Sequence, residues 1–233
     1  MWRSTPARGR AVFLLLGALW LARRADASPD TLLVLRVDTT QRRVLLPVPP
    51  TALSGNPLPL IIAFHGAQGT ALGLRNGTGL SDAADMRGVL VAYPDAPLGN
   101  WAEDCGCNNA DRLGANDTGL VRALVDSIAR IAPLDRTDLH GGSGSRRSRL
   151  LGAEATFRHW LLLNRCQSSA TEPFRGGGAI ERRHGRGCAA GVEVTLYAVR
   201  EGGHAWRASP ALDTNALLLD FFLRHRLPEP GGN

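Results

Sequence analysis

The sequence predicts a layered α/β domain built on a mostly parallel sheet, and three observations carry that prediction. Residues 60–64, Leu-Ile-Ile-Ala-Phe, are an unbroken apolar run, too short for a buried helix and β-branched at its centre. Residues 89–93, Val-Leu-Val-Ala-Tyr, are a second run of the same kind. Continuous apolar strands suit a sheet covered on both faces. The covers come from segments of helical period, of which the best opens at Asp117. There Leu120, Val121, Leu124, Val125, Ile128, Ile131 and Ala132 make one wide apolar face. Strand, helix, strand, helix is the order of a layered α/β domain. At 233 residues and 44% hydrophobic, the chain can fill one sizeable core.

The first 27 residues stand apart from that core. Arg3, Arg8 and Arg10 precede an apolar stretch at 11–22, and Ala25-Asp26-Ala27 is a small-x-small cleavage site. The stretch is too short to span a bilayer well. This reads as a secretory signal peptide cut after Ala27; the alternative is an uncleaved membrane anchor. Residues 28–227 form a single domain, followed by a Pro/Gly tail at 228–233.

Within the domain, residues 32–37 and 43–48 are β-rich and joined by 38–42, an antiparallel hairpin at the sheet edge. Pro47, Pro49 and Pro50 end it, and the run at 60–64 follows. Residues 69–79, rich in Gly and Asn, read as a loop. Ser81 caps a short helix at 82–87, closed by Gly88. The strand at 89–93 stops at Pro94. Residues 95–112 hold Trp101 and a Cys-Gly-Cys pair in an irregular connection of unusual length, which points to function or a covalent pin. The helix opened by Asp117 ends at Pro133. Residues 152–165 read as another helix, with Phe157, Trp160, Leu161 and Leu163 as its apolar residues. Residues 192–199 read as a strand. Asp213 caps a last amphipathic helix containing Leu217, Leu218, Phe221 and Phe222.

Charge argues against a nucleic-acid partner. Of the net +6, the first 27 residues contribute +4, and the remainder is near +2. There is no lysine. Arg146, Arg147 and Arg149, and Arg182, Arg183 and Arg186, form small clusters without interleaved aromatics, which reads as solvated loop charge. Four cysteines in an exported chain favour disulfides over metal. Cys166 and Cys188 flank a Gly- and Arg-rich loop and are paired, a bridge that stabilises by about 3 kcal/mol through loop entropy. Cys105 and Cys107 are too close for an unstrained bond to each other. No further ligands accompany them at zinc spacing. Asn76-Gly77-Thr78 and Asn116-Asp117-Thr118 are glycosylation sequons if the source is eukaryotic.

Two stretches carry candidate chemistry. His65, Gly66 and Ala67 follow the 60–64 strand, and ligands of open α/β sheets sit beyond the carboxyl ends of strands. The turn resembles the oxyanion loop of α/β-hydrolases, which holds a backbone N–H near the reacting carbonyl. The plain alternative is a strand that stops at a turn. His204 follows the last strand in a Gly-Gly loop, the place of the triad histidine in α/β-hydrolases. Its alternative is a loop histidine packed on Trp206.

Taken in order, several stretches resemble the secreted esterase family that includes polyhydroxybutyrate depolymerases and feruloyl esterases. PLIIAFHGAQGTALGL resembles that family's strand and oxyanion loop. GVLVAYPDA, then Trp101 and the Cys-Gly-Cys pair, resemble its second strand and Trp/Cys loop. NDTGLVRALVDSIARIAPLDRTDL resembles the helix leading toward its nucleophile strand. FRHWLLLNRC, with Cys188 ahead of VEVTLYAV, resembles its disulfide-bonded segment, and EGGHAW its Gly-Gly-His-x-Trp signature. The likeness covers two blocks, 32–139 and 141–223. It implies an α/β-hydrolase-like mostly parallel sheet with flanking helices. It also implies hydrolysis of carboxylic esters, with His204 as general base and the Ala67 N–H as half of the oxyanion hole. Candidate substrates are polyhydroxyalkanoate, feruloylated polysaccharide or small aryl esters. No metal or organic cofactor is needed.

Between the blocks the chain departs from the family, which continues into a buried strand and a G-x-S-x-G elbow. Here Leu139 is followed at once by His140-Gly141-Gly142-Ser143-Gly144-Ser145, with arginines where a packing helix would start. Only Leu139 is expected to belong to a strand, and Ser143 reads as a flexible-loop serine. The nucleophile strand, its helix and the acid-bearing strand are missing together, so the domain is truncated in its middle. The expectation is an impaired esterase, the alternative a non-catalytic secreted protein that binds polysaccharide or polyester. Asp213 comes after the histidine and serves as a helix cap. Asp138 is a carboxylate that nothing in the sequence places.

Overall fold

The edge hairpin forms as its β-rich runs predict: β1 (Asp30–Val37) pairs antiparallel with β2 (Thr40–Pro47), with Val37 opposite Thr40 across the turn. The computed structural model describes residues 30–102, 106–142, 152–176, 179–189, 191–203, 205–206 and 209–225. The expected signal peptide, Cys105, Ser143, His204 and the tail lie outside the described residues.

The apolar run at 60–64 becomes β3 (Leu58–Ala63), and the second becomes β4 (Leu90–Pro94). The two are parallel, Leu60 opposite Leu90. β5 (Leu134–Gly142) lies on the other side of β3, also parallel, giving a five-stranded sheet in the order β1-β2-β4-β3-β5. This corrects the reading that only Leu139 could be a strand residue. His140, Gly141 and Gly142 stand opposite Ile61, Ile62 and Ala63. Glycine has poor strand propensity by itself, but a neighbour already fixed in the sheet supplies the pairing.

Helices cover both faces. α4 (Asp117–Ile128) buries Leu120, Leu124 and Ile128 against Val44, Leu46, Leu60, Ile62, Leu90 and Ala92. Ile131, expected on that face, is exposed because the helix has already ended. The other face packs Ile61, Val91 and Tyr93 against α1 (Ala71–Thr78), α2 (Leu80–Asp85) and α6 (Thr214–Arg224). Each fully buried Leu, Ile or Val contributes about 1.5–3 kcal/mol. The stretch read as a loop is in fact α1. Thr70 caps it by accepting from the Gly73 N–H at 3.0 Å, and Asp95 accepts from the Ala71 N–H at 2.6 Å. Ser81 is not a cap: α2 starts one residue earlier, and its hydroxyl lies 2.8 Å from the buried Tyr93 hydroxyl. A short α3 (Asn109–Arg112) interrupts the connection after β4.

Residues 168–199 build a second sheet. β6 (Ser168–Pro173), β7 (Ile180–Arg186) and β8 (Thr195–Val199) form a three-stranded antiparallel sheet. The strand expected at 192–199 therefore forms, but in this sheet and not beside β5. Cys166 and Cys188 are disulfide-bonded, and they close a hairpin rather than a loop. Arg182 and Arg183 are strand residues paired with Glu172 and Glu181, not solvated loop charges. α5 (Ala153–Leu163) packs Leu161 over Gly185 and buries Phe157, while Trp160 and Leu163 stay exposed. Cys107 is disulfide-bonded. Among the described residues no helix is long and apolar enough to cross a membrane.

Candidate active site

β3, β4 and β5 run parallel, so their carboxyl ends share one edge of the sheet. The register sets Ala63 opposite Gly142. The loop that follows β3 and the end of β5 therefore lie at the same edge of the sheet. In open α/β sheets that edge is where ligands bind.

The loop after β3 is held from every side. His65 is 3% exposed, so its ring is part of the packing. Its Nε2 accepts from the Ala96 N–H at 3.1 Å. Nδ1 therefore carries the hydrogen and donates to the Gly66 carbonyl at 2.8 Å. With both ring nitrogens used, His65 orients the loop and has no free nitrogen for proton transfer. The Trp101 indole donates to the His65 carbonyl at 2.8 Å, and its ring meets Phe64 edge-on at 4.9 Å.

A tight turn follows, closed by the Gly69 N–H on the Gly66 carbonyl at 3.0 Å. Its third residue, Gln68, has φ +62°, a left-handed conformation that is uncommon for a residue with a side chain. The Gln68 N–H is anchored on the Gly99 carbonyl at 2.8 Å. Gly69 admits no side chain here: a Cβ would lie 2.9 Å from the Gly66 carbonyl oxygen. Ala67, at the crest of the turn, is exposed, and its N–H donates to no group among the described residues. A fixed, unengaged backbone donor at a strand's carboxyl end is the geometry that can receive a developing oxyanion.

Behind Trp101 lies a charged pair that the sequence pattern did not reveal. Arg42 on β2 meets Asp117 at 2.7 Å, and its guanidinium stacks 5.8 Å from the Trp101 ring centre. The other Asp117 oxygen accepts the Ala102 N–H at 2.7 Å. The available signal was alternation: Arg42 occupies an inward position in line with Val44 and Leu46, where a charge needs a buried partner.

His204 itself lies outside the described residues, but its neighbours do not. Gly203 is left-handed at φ +62°. Trp206 donates its indole N–H to Asn215 on α6 at 2.7 Å. The alternative of a histidine packed on Trp206 rests on His204 and so lies outside the described residues. Asp213 is a helix cap, accepting from the Ala216 N–H at 2.9 Å. An open cleft of about 660 Å³ lies between α2 and the start of α6, lined by Asp82, Ser209 and Asp213 among others, away from the 65–69 turn. Among the described residues no group of three or more His, Cys, Asp or Glu is placed to hold a metal.

Comparison with protein-family models and with curated proteins finds no match to this chain.

Proposed function

We propose that the chain is a secreted carboxylic ester hydrolase of the serine type, working slowly. The observation that supports this reading is the 65–69 turn: a pinned loop at the sheet edge shared by β3 and β5 presents an Ala67 N–H that donates to no group among the described residues. In the reaction, a serine hydroxyl adds to the ester carbonyl and passes its proton to His204. The carbonyl oxygen gains the negative charge and is met by the Ala67 N–H. The adduct collapses as His204 returns the proton to the departing alcohol, and water, deprotonated by His204, then releases the acid and restores the serine. Ser143 directly follows β5 in sequence, and β5 pairs with the strand that leads into that turn. The substrate classes are a polyhydroxyalkanoate or a feruloylated polysaccharide.

Two features argue for slow turnover. A strained nucleophile elbow is braced by a helix that starts at once, whereas here Arg146, Arg147 and Arg149 stand where that helix would start. The strand leading to His204, β8, pairs with β7 and not with the sheet that carries Ala67. An incomplete triad retains about 10³–10⁴-fold acceleration over water from oxyanion stabilisation and binding.

The test is hydrolysis of p-nitrophenyl acetate and methyl ferulate by the wild type, Ser143→Ala and His204→Ala. Turnover above buffer that falls in His204→Ala supports the reading, and fluorophosphonate labelling of Ser143 would identify the nucleophile. A wild type no faster than buffer on either ester would favour the non-catalytic polysaccharide- or polyester-binding alternative.

A further inference from the structure

We propose that Asn215 is the positioning residue of the Gly-Gly-His-x-Trp loop, a role that rests on reading His204 as the base. β8 feeds this loop from the three-stranded sheet, which shares no strand ladder with the sheet carrying Ala67. Sheet register therefore does not fix the end of β8 relative to the 65–69 turn. Side chains must connect the two: Glu193, ahead of β8, accepts from Arg224 on α6 at 3.2 Å, and Asn215 holds the far end of the loop.

Asn215 lies in the first turn of α6 and is 7% exposed. Its Oδ1 accepts the Trp206 indole N–H at 2.7 Å. Its Nδ2 donates to the Thr78 carbonyl at 2.9 Å, 137 residues away in sequence. Thr78 is the last residue of α1. The neighbouring Thr214 hydroxyl donates to the Trp206 carbonyl at 2.9 Å, which grips Trp206 at main chain and side chain together. α6 is docked on the main sheet through Leu219, fully buried beside Val91 and Tyr93. α1 opens directly after the 65–69 turn. The path from Trp206 through Asn215 to Thr78 thus fixes a point two residues past His204 to the helix that the oxyanion loop leads into.

The residue type suits the role. Asparagine offers one acceptor and one donor on a short side chain, as the indole N–H and the carbonyl require. Aspartate keeps the acceptor and loses the donor. Leucine, of similar shape, has neither.

The experiment compares wild type, Asn215→Leu, Asn215→Asp, Trp206→Phe and the Asn215→Leu/Trp206→Phe double variant. Hydrogen exchange is followed in the peptide spanning 200–206 and in a control peptide from β3, alongside kcat and KM for p-nitrophenyl acetate. In Asn215→Leu, exchange of the 200–206 peptide should speed up about tenfold while the β3 peptide is unchanged. Its kcat should fall about tenfold with little change in KM, as expected when the base is misplaced and substrate binding stays intact. Asn215→Asp should lie between Asn215→Leu and wild type, and the double variant should be no worse than the worse single one. Unchanged loop exchange in Asn215→Leu, or effects of the two substitutions that multiply, overturns the proposal. If Asn215→Leu does not fold, Asn215→Asp and Trp206→Phe decide by the same exchange readout. A wild type without His204-dependent turnover defeats the esterase reading, and loop exchange still decides whether Asn215 is the tether.

Discussion

Arg42 and Asp117, 75 residues apart in sequence, form an ion pair at 2.7 Å in which the arginine side chain is 2% exposed and the aspartate 19%. The asymmetry determines which half matters more. Among the described residues, two nitrogens of Arg42, Nε and Nη1, have no hydrogen-bond partner. Removing Asp117 strands the whole guanidinium in the core, whereas removing Arg42 leaves a carboxylate that still accepts from Ala102 and reaches water. Asp117→Ala should therefore cost about 3–5 kcal/mol, as breaking a buried pair does, and Arg42→Met distinctly less. The Arg42→Met/Asp117→Ala double variant should cost less than the two single changes added together. Urea denaturation of the four proteins checks this, and equal losses in the two single variants would contradict it.

The same pair stands behind the oxyanion turn, because Trp101 lies between the guanidinium and the His65 carbonyl. Trp101→Phe keeps a ring against Phe64 but removes the N–H that the carbonyl accepts. It should destabilise by about 1–3 kcal/mol, the cost of a part-buried acceptor left unpaired. Gly69→Ala acts on the turn itself. Its Cβ would meet backbone, the Gly66 carbonyl oxygen at 2.9 Å, which cannot step aside as a side chain would. A similar loss of about 1–3 kcal/mol follows from overpacking. Both variants should also lower ester turnover. Thermal melts paired with p-nitrophenyl acetate rates test the pair, and a Gly69→Ala protein as active and stable as the parent would show that the turn relaxes freely.

How far the sequence foretold this arrangement depended on the kind of signal. β3, β4 and α4 were legible because Ile61, Val91 and Leu124 belong to long apolar patterns whose period names the element. α1 was not: Gly73 and Gly77 give it a loop's composition, and its stability comes from the Thr70 cap and from Asp95, which lies 24 residues beyond Ala71. β5 was missed because His140, Gly141 and Gly142 have no strand preference and are ordered by β3. The β6–β7 hairpin was missed because its faces are polar and its cross-strand partners are charges, Arg182 with Glu172. At the site, Ala67 and Trp101 stood next to a recognisable strand end. Asn215 and the Arg42–Asp117 pair are single polar residues whose partners are remote in sequence, and periodicity is blind to those.

Tyr93 gives a pH dependence of definite sign. It is fully buried on β4, and burial pushes its hydroxyl above the ordinary 10.0, an effect that bonds with Ser81 and Thr78 only partly offset. A raised folded value means that the native state holds its proton more tightly than the unfolded chain does. The contribution is therefore complete below the ordinary value and is lost as pH rises through the folded one. Stability should fall on the alkaline side of about pH 10, and Tyr93→Phe should flatten that fall. Tyrosinate absorbance offers a direct reading. The chain has two tyrosines, and one should ionise only together with unfolding. Both ionising in a chain that keeps its native circular dichroism would refute the assignment.

Gly185 and the Cys166–Cys188 bridge depend on each other. A Cβ at Gly185 would lie 2.8 Å from Cys188 Sγ, 2.9 Å from Cys166 Sγ and 2.8 Å from Leu161 Cδ2, so the sulfurs and α5 together fill the space a side chain would take. The bridge closes a 22-residue separation around the β6–β7 hairpin, and replacing both cysteines by alanine should cost about 3 kcal/mol through the freed unfolded chain. Gly185→Ala should cost about 1–3 kcal/mol while the sulfurs are in place. Without them the new methyl has room on one side, and the glycine's own flexibility in the unfolded state no longer works against folding. The cost of Gly185→Ala should therefore shrink in the Cys166→Ala/Cys188→Ala background. Denaturation of the parent, the alanine variant, the cysteine-free variant and their combination measures that coupling directly. Additive losses would mean that the clash falls on Leu161 alone, and that α5, not the bridge, dictates the glycine.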